Sequence, residues 1–205
     1  MRTTDVLLSP AMARARAEGR KTVTRRIVKH QPDVSPLVAC VYKSRRNQCP
    51  YGNPENQIRW LTTWAAPYYY DRNRPVEVSA TRPLWSYHLS DTKPEEFGKL
   101  RPGRFLPGHL RYKMPVDEVV SVRIERLHDI TEDDAIKEGV KAPTCEKCGY
   151  TLWDCKIQMD HNLCGEPTPS SAIPVFKSLW ESINGKGSWA ANPWVWVLEF
   201  KPIQP

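Results

Sequence analysis

The sequence predicts an α+β protein, mostly antiparallel β with a few short helices and one long irregular stretch. Three observations carry that prediction. Nineteen of the 205 residues are proline, well above the usual share of about 5%, which disfavours long helices and favours short elements joined by ordered loops. Val120, Val122 and Ile124 alternate with Ser121, Arg123 and Glu125, the period-two pattern of a strand with one buried face. Trp194 to Phe200 is apolar at both parities, as a central strand covered on both faces would be.

The elements follow in order from local signals. Val6, Leu7 and Leu8 form a short apolar run, and Ser9-Pro10 after them is an N-cap residue and a proline suited to the first helical position. A helix should run from Pro10 to about Glu18 and stop at Gly19. Lys21 to Val28 alternates with β-branched residues, so it reads as a turn leading into a strand. Residues 31 to about 56 read as a loop with a strand candidate at Leu37 to Tyr42, and Ile58 to Trp64 as a further strand. Between 71 and 115 the periodicity is poor and prolines recur. After the alternating strand at 120–124, Thr131 is an N-cap with carboxylates behind it, which predicts a short helix at about 132–138 ending at Gly139. Pro174 opens another helix, whose Phe176, Leu179, Trp180 and Ile183 fall at helical spacing. Residues 184–193 are a loop before the final strand.

Composition narrows the function classes. Hydrophobic residues make up 40% and charged ones 26%, which fits a globular chain able to bury a core and excludes wholesale disorder. No basic start joins an apolar run of signal-peptide length, and no stretch nears the roughly 20 apolar residues of a membrane helix. The expectation is a cytoplasmic protein without a membrane partner, whose six cysteines are thiols or metal ligands rather than disulfides. The balance of 30 Lys+Arg against 23 Asp+Glu, +7 in all, favours polyanionic partners. Arg14, Arg16, Arg20, Lys21, Arg25, Arg26 and Lys29 crowd one stretch, with Lys43, Arg45 and Arg46 beyond it. On charge alone such a run is a solvated face.

Three segments together resemble the ASCH domain of the PUA-like superfamily: Gly19 to Arg26 (GRKTVTRR), Ile130 to Val140 (ITEDDAIKEGV) and Trp196 to Lys201 (WVLEFK). The ending Trp180 to Trp189 (WESINGKGSW), followed by Asn192-Pro193-Trp194, is similar to a prophage-borne branch of that family. The resemblance implies one ASCH domain over residues 1–205, a mostly antiparallel β-barrel with short flanking helices, with insertions at about 31–115 and, rich in cysteine, at about 141–172. It implies a cleft between helix ends and barrel that takes RNA, DNA or a modified nucleoside. In the bacterial branch that hydrolyses N4-acetylcytidine, the catalytic lysine, threonine and glutamate match Lys21, Thr24 and Glu138 here. Amide hydrolysis needs an acid/base and a donor for the developing oxyanion, and these residue types can supply both. Arg20, Arg25 and Arg26, with Lys43, Arg45, Arg46 and Tyr68, are the candidate nucleic-acid contacts. By residue type alone, Lys21 reads as a surface lysine, Thr24 as an exposed strand residue and Glu138 as a helix-end carboxylate. The alternative function is a non-catalytic RNA- or DNA-binding module of phage origin. Where the phage branch carries a Trp-Val-Arg-Glu-Thr-Trp strand, this chain has Trp60-Leu61-Thr62-Thr63-Trp64, without the Arg-Glu pair.

Cys145 and Cys148 form a C-x2-C hairpin signature, and Cys155, His161 and Cys164 follow. A tetrahedral metal needs four such ligands. The expected set is Cys145, Cys148, Cys155 and Cys164, with His161 as substitute, holding a structural zinc that pins an insertion poor in apolar residues. The alternative is a loop of reduced, partly buried cysteines. Catalysis itself would require no cofactor.

Overall fold

The computed structural model describes residues 1–31, 49–141 and 171–203. β1 (Thr3–Leu7), β2 (Val23–Ile27), β3 (Gln57–Leu61), β6 (Val116–Arg126) and β7 (Trp194–Pro202) form one sheet in the order β1-β3-β6-β7-β2. Its pairs are antiparallel except β1 with β3, which is parallel. β4 (Trp64–Ala65) and β5 (Trp85–Ser86) make a separate two-stranded ribbon. α1 (Pro10–Ala17) links the two edge strands, α2 (Glu132–Lys137) follows β6, and α3 (Ala172–Asn184) precedes β7. The sheet curls until its edges are neighbours: Arg26 on β2 donates through Nη2 to the Leu7 carbonyl of β1 at 2.7 Å. No backbone ladder closes that seam among the described residues.

Local signals place the helices. Ser9 Oγ accepts from Met12 N, and Gly19 takes the left-handed conformation (φ 76°) that ends α1. Thr131 Oγ1 accepts from Asp134 N at the start of α2. α3 begins two residues before Pro174, capped by Ser171. β7 lies between β6 and β2 with both faces covered, as its composition predicts. Trp196, Leu198 and Phe200 pack with Ile58, Trp60 and α1, while Val195 and Val197 pack with Val23, α2 and α3. The long segment after β3 is folded mainly as short 3-10 turns around its own cluster of Trp64, Val78, Leu106 and Leu110.

Two strand expectations are corrected. Residues 58–64 are not one strand: β3 stops at Leu61 and β4 restarts at Trp64. Gly103 passes so close to the backbone of Thr62 that a Cβ there would stand 2.8 Å from the Thr62 carbonyl oxygen, and this crossing interrupts the strand. Nor do Val120, Val122 and Ile124 share one face. The register with β7 shifts between Val119 and Ser121, so Val119 is buried, Val120 is 44% exposed, and Val122 and Ile124 return to the covered face. The strand candidate at Leu37 to Tyr42 lies outside the described residues.

Candidate active site

The site begins where α1 ends. The amides of Arg20 and Lys21 both donate to the Ala15 carbonyl, at 2.9 and 3.0 Å, which folds the chain back over the helix terminus. Thr22 N then donates to Lys137 O, and Phe200 N donates to Thr22 O, each at 2.9 Å. This laces the entry to β2 onto the last turn of α2 and onto β7. Lys21 and Glu138 consequently face each other as an isolated antiparallel bridge. The approach depends on Gly139, whose φ is 89° and where a Cβ would stand 2.7 Å from the Ala15 Cβ and 2.9 Å from the Lys21 Cβ. A side chain at 139 would force the two segments apart.

Lys21, Thr24, Arg25 and Glu138 are each between 3 and 5% exposed. Lys21 Nζ donates to Glu138 Oε2 at 2.7 Å, to Val23 O at 2.7 Å and to Glu138 O at 3.0 Å. Its ammonium therefore has an acceptor for every N–H. Burial pushes the Lys21 amine below the ordinary lysine range, and the Glu138 carboxylate beside it pulls the other way. Arg25 reaches Glu138 Oε1 through Nη1 at 3.4 Å, and its Nη2 donates to Glu125 and Asp134 at 2.6 Å each. Arg123 also pairs with Glu125 and Asp134. Thr24 is the remaining member, and among the described residues its hydroxyl has no hydrogen-bond partner.

A cleft of about 450 Å³ runs past this group. Leu7, Leu8 and Ser9, from the end of β1 and the start of α1, supply part of its wall. Phe176, Leu179 and Trp180 of α3 supply another part, and Thr63, Gly103 and Arg104 come from the long segment after β3. The cleft thus occupies the seam between the two edge strands, mostly apolar in its walls and charged where Lys21, Arg25, Arg26 and Glu138 enter. That is the usual constitution of a small-molecule site.

Lys21, Thr24 and Glu138, expected to share a cleft, do share this one, and Arg25 and Arg26 line it with them. The readings of Lys21 and Thr24 as surface groups, and of Glu138 as a solvent-side carboxylate, are overturned by their burial. Arg20 stands elsewhere: its guanidinium donates to Glu18 and to the Gly139 carbonyl, and it borders a second hollow with Arg14, Asp91 and Val175. Tyr68 sits exposed on a 3-10 turn, outside the lining of the cleft. Lys43, Arg45 and Arg46 lie outside the described residues, as do Cys145, Cys148, Cys155, His161 and Cys164. Among the described residues no group of three or more His, Cys, Asp or Glu is placed to hold a metal ion. Buried Cys49 has its thiol raised to about 11, so it stays protonated.

Sequence reasoning missed Trp180, Thr63 and Arg104. Trp180 sits at helical spacing with Phe176 and so reads as core, which it is, while also lining the cleft. Thr63 and Arg104 carry no local signal, because the crossing at Gly103 that brings them together is non-local. No protein-family model, curated protein or solved structure matches the chain. Among the described residues no helix is long and apolar enough to cross a membrane.

Proposed function

We propose that the chain recognises a nucleobase or nucleic acid in this cleft, on an ASCH-type, PUA-like barrel, and hydrolyses the N4-acyl group of an acylated cytidine or related modified base. The observation that carries the reading is the buried Lys21–Glu138 pair, closed at 2.7 Å, beside a threonine hydroxyl with no protein partner among the described residues. Burial lowers the Lys21 amine from the ordinary lysine range, which brings its proton transfer closer to neutral pH. Glu138 takes the proton of the attacking water. Thr24 Oγ1–H donates to the acyl oxygen as negative charge develops on it, and Lys21 exchanges one of its carbonyl acceptors for that oxygen. Collapse of the tetrahedral species breaks the C–N4 bond, and Glu138 returns the proton to the departing N4 amine. The products are a carboxylic acid and the free base.

One observation favours a second reading, a non-catalytic RNA- or DNA-binding module. Every N–H of Lys21 already has an acceptor, so the pair also serves as a closed clasp between α2 and β2. Release of cytidine from N4-acetylcytidine separates the two. Hydrolysis requires turnover by the wild type and its loss, by about 10²-fold or more, in Lys21→Ala and Glu138→Gln. No release by a folded wild-type protein removes the amidohydrolase. The binding module then requires Lys21→Ala to lower nucleic-acid affinity and reduce its salt dependence.

A further inference from the structure

Two of the cleft's three described arginines, Arg26 and Arg104, form no ion pair with a described carboxylate. Arg14, Arg16, Arg59 and Arg123 each lie within ion-pairing distance of a carboxylate, as does Arg25 inside the cleft. Arg26 and Arg104 line the cleft with no carboxylate partner among the described residues. Among the described residues the Arg26 side chain donates only to the neutral carbonyl of Leu7, and its buried Nε has no acceptor there. Burial lowers this guanidinium from its ordinary value, and Tyr51 and the Glu138 carboxylate, which lies beyond ion-pairing distance, pull the other way. Arg104 is exposed, its guanidinium 4.8 Å above the Phe105 ring. A further orphan donor belongs to a residue of the same lining: Trp180 is 4% exposed, and its buried indole Nε1–H has no partner among the described residues. Ser9 and Pro10 bring the N-terminal, positive end of α1 to the same cleft.

Against these donors the described lining of the cleft offers one carboxylate, Glu138, whose oxygens are already engaged by Lys21 and Arg25. The empty valences are therefore donors, and the uncompensated charge is positive. A guanidinium's planar fork matches phosphate oxygens bidentately. We propose that the ligand carries its base on a phosphate, held by Arg26 and Arg104 with Trp180 Nε1–H completing the donor set, so that the cleft takes a nucleotide unit and not a free nucleoside. The inference rests on the nucleobase reading above and specifies its substrate class. The phosphate can be the terminal group of a mononucleotide or the diester of a polynucleotide.

Binding to the purified full chain tests this with four probes that the protein does not consume: cytidine, cytidine 5′-monophosphate, adenosine 5′-monophosphate and a short oligocytidylate. A charge-assisted contact contributes about 1.5–3 kcal/mol, so cytidine 5′-monophosphate should bind at least about tenfold more tightly than cytidine. That preference should fall with added salt, and Arg104→Gln and Arg26→Gln should each remove most of it, read as the ratio of the two affinities within each variant. Arg104 is exposed, so its variant carries little folding risk. Trp180→Phe should lower the same ratio further. Tighter binding of the oligocytidylate assigns a diester, and tighter binding of the mononucleotide assigns a terminal phosphate. Equal affinity of the wild type for cytidine and its monophosphate overturns the phosphate site and leaves the base reading standing. Arginine-dependent binding of adenosine 5′-monophosphate, equal to that of the cytidine nucleotide, keeps the phosphate site and removes the cytidine reading. Failure of all four probes to bind removes both.

Discussion

Lys21 holds its charge almost without water, and it does so because Glu138 and two backbone carbonyls replace the water it lost. Taking away one member of such a pair leaves a buried charge uncompensated, which costs about 3–5 kcal/mol. Lys21→Met should therefore lower stability in a denaturant titration. Adding Glu138→Leu should recover most of that loss while restoring none of the cytidine release proposed for the wild type, which separates the pair's structural part from its proposed chemical one. His88 offers a pH test of a different kind. Burial lowers its imidazole to about 4, against a smaller upward pull from its bond to the Trp60 carbonyl, and Arg16 and Asp117 are its charged neighbours. An unfolded imidazole protonates near 6.5, so between 6.5 and about 4 the unfolded chain binds more protons and stability falls with falling pH. The loss approaches about 3 kcal/mol at most, and His88→Gln should flatten that part of the pH–stability curve. None of this burial is legible in residue types. Lys21, Thr24 and Glu138 look like surface groups, and only the resemblance of separated motifs joins them. The contact that buries them runs through Gly139 and Ala15, two positions whose closeness no spacing encodes.

At the level of elements, α1 is pinned to the sheet by an ion pair beneath it. Arg16 donates through Nε and Nη2 to the carboxylate of Asp117 on β6, and Trp60 on β3 donates through Nε1 to the same carboxylate at 2.7 Å. Asp117 is fully buried. Asp117→Ala should lower stability by about 3–5 kcal/mol, because it strands the Arg16 charge and the indole N–H together; Asp117→Asn, which keeps an acceptor, should lower it less. Thermal melting of the two variants reads the difference. Elements whose ends are written in capping residues were legible: Ser9-Pro10 starts α1, Thr131 starts α2, and Gly19 ends the first helix. The alternation through residues 120–124 correctly announced a strand but misassigned Val120, since a bulge changes parity without changing composition. The strand read over 58–64 failed for a comparable reason, its interruption being imposed by a distant glycine.

Across the whole molecule, the α+β class, the few short helices and the central position of β7 follow from proline content and two-sided apolarity, while the strand order does not, because pairing partners lie far apart in sequence. The cysteine-rich stretch carries an expectation of its own: elemental analysis of purified protein should find about one zinc per chain bound by four ligands, and a metal-free, folded protein would remove the zinc from this account. The sheet order also has a meaning in time. β2 carries Thr24 and directly follows Lys21, yet among the described residues its one strand neighbour is β7, separated from it by all the residues between Ile27 and Trp194. On the ribosome, Lys21 and Thr24 emerge before β7 and wait for that partner until the residues between have been synthesised. The cleft is therefore assembled only once β7 has been made. A nascent chain halted before Trp194 would hold every proposed catalytic side chain and still lack the site that makes them act together.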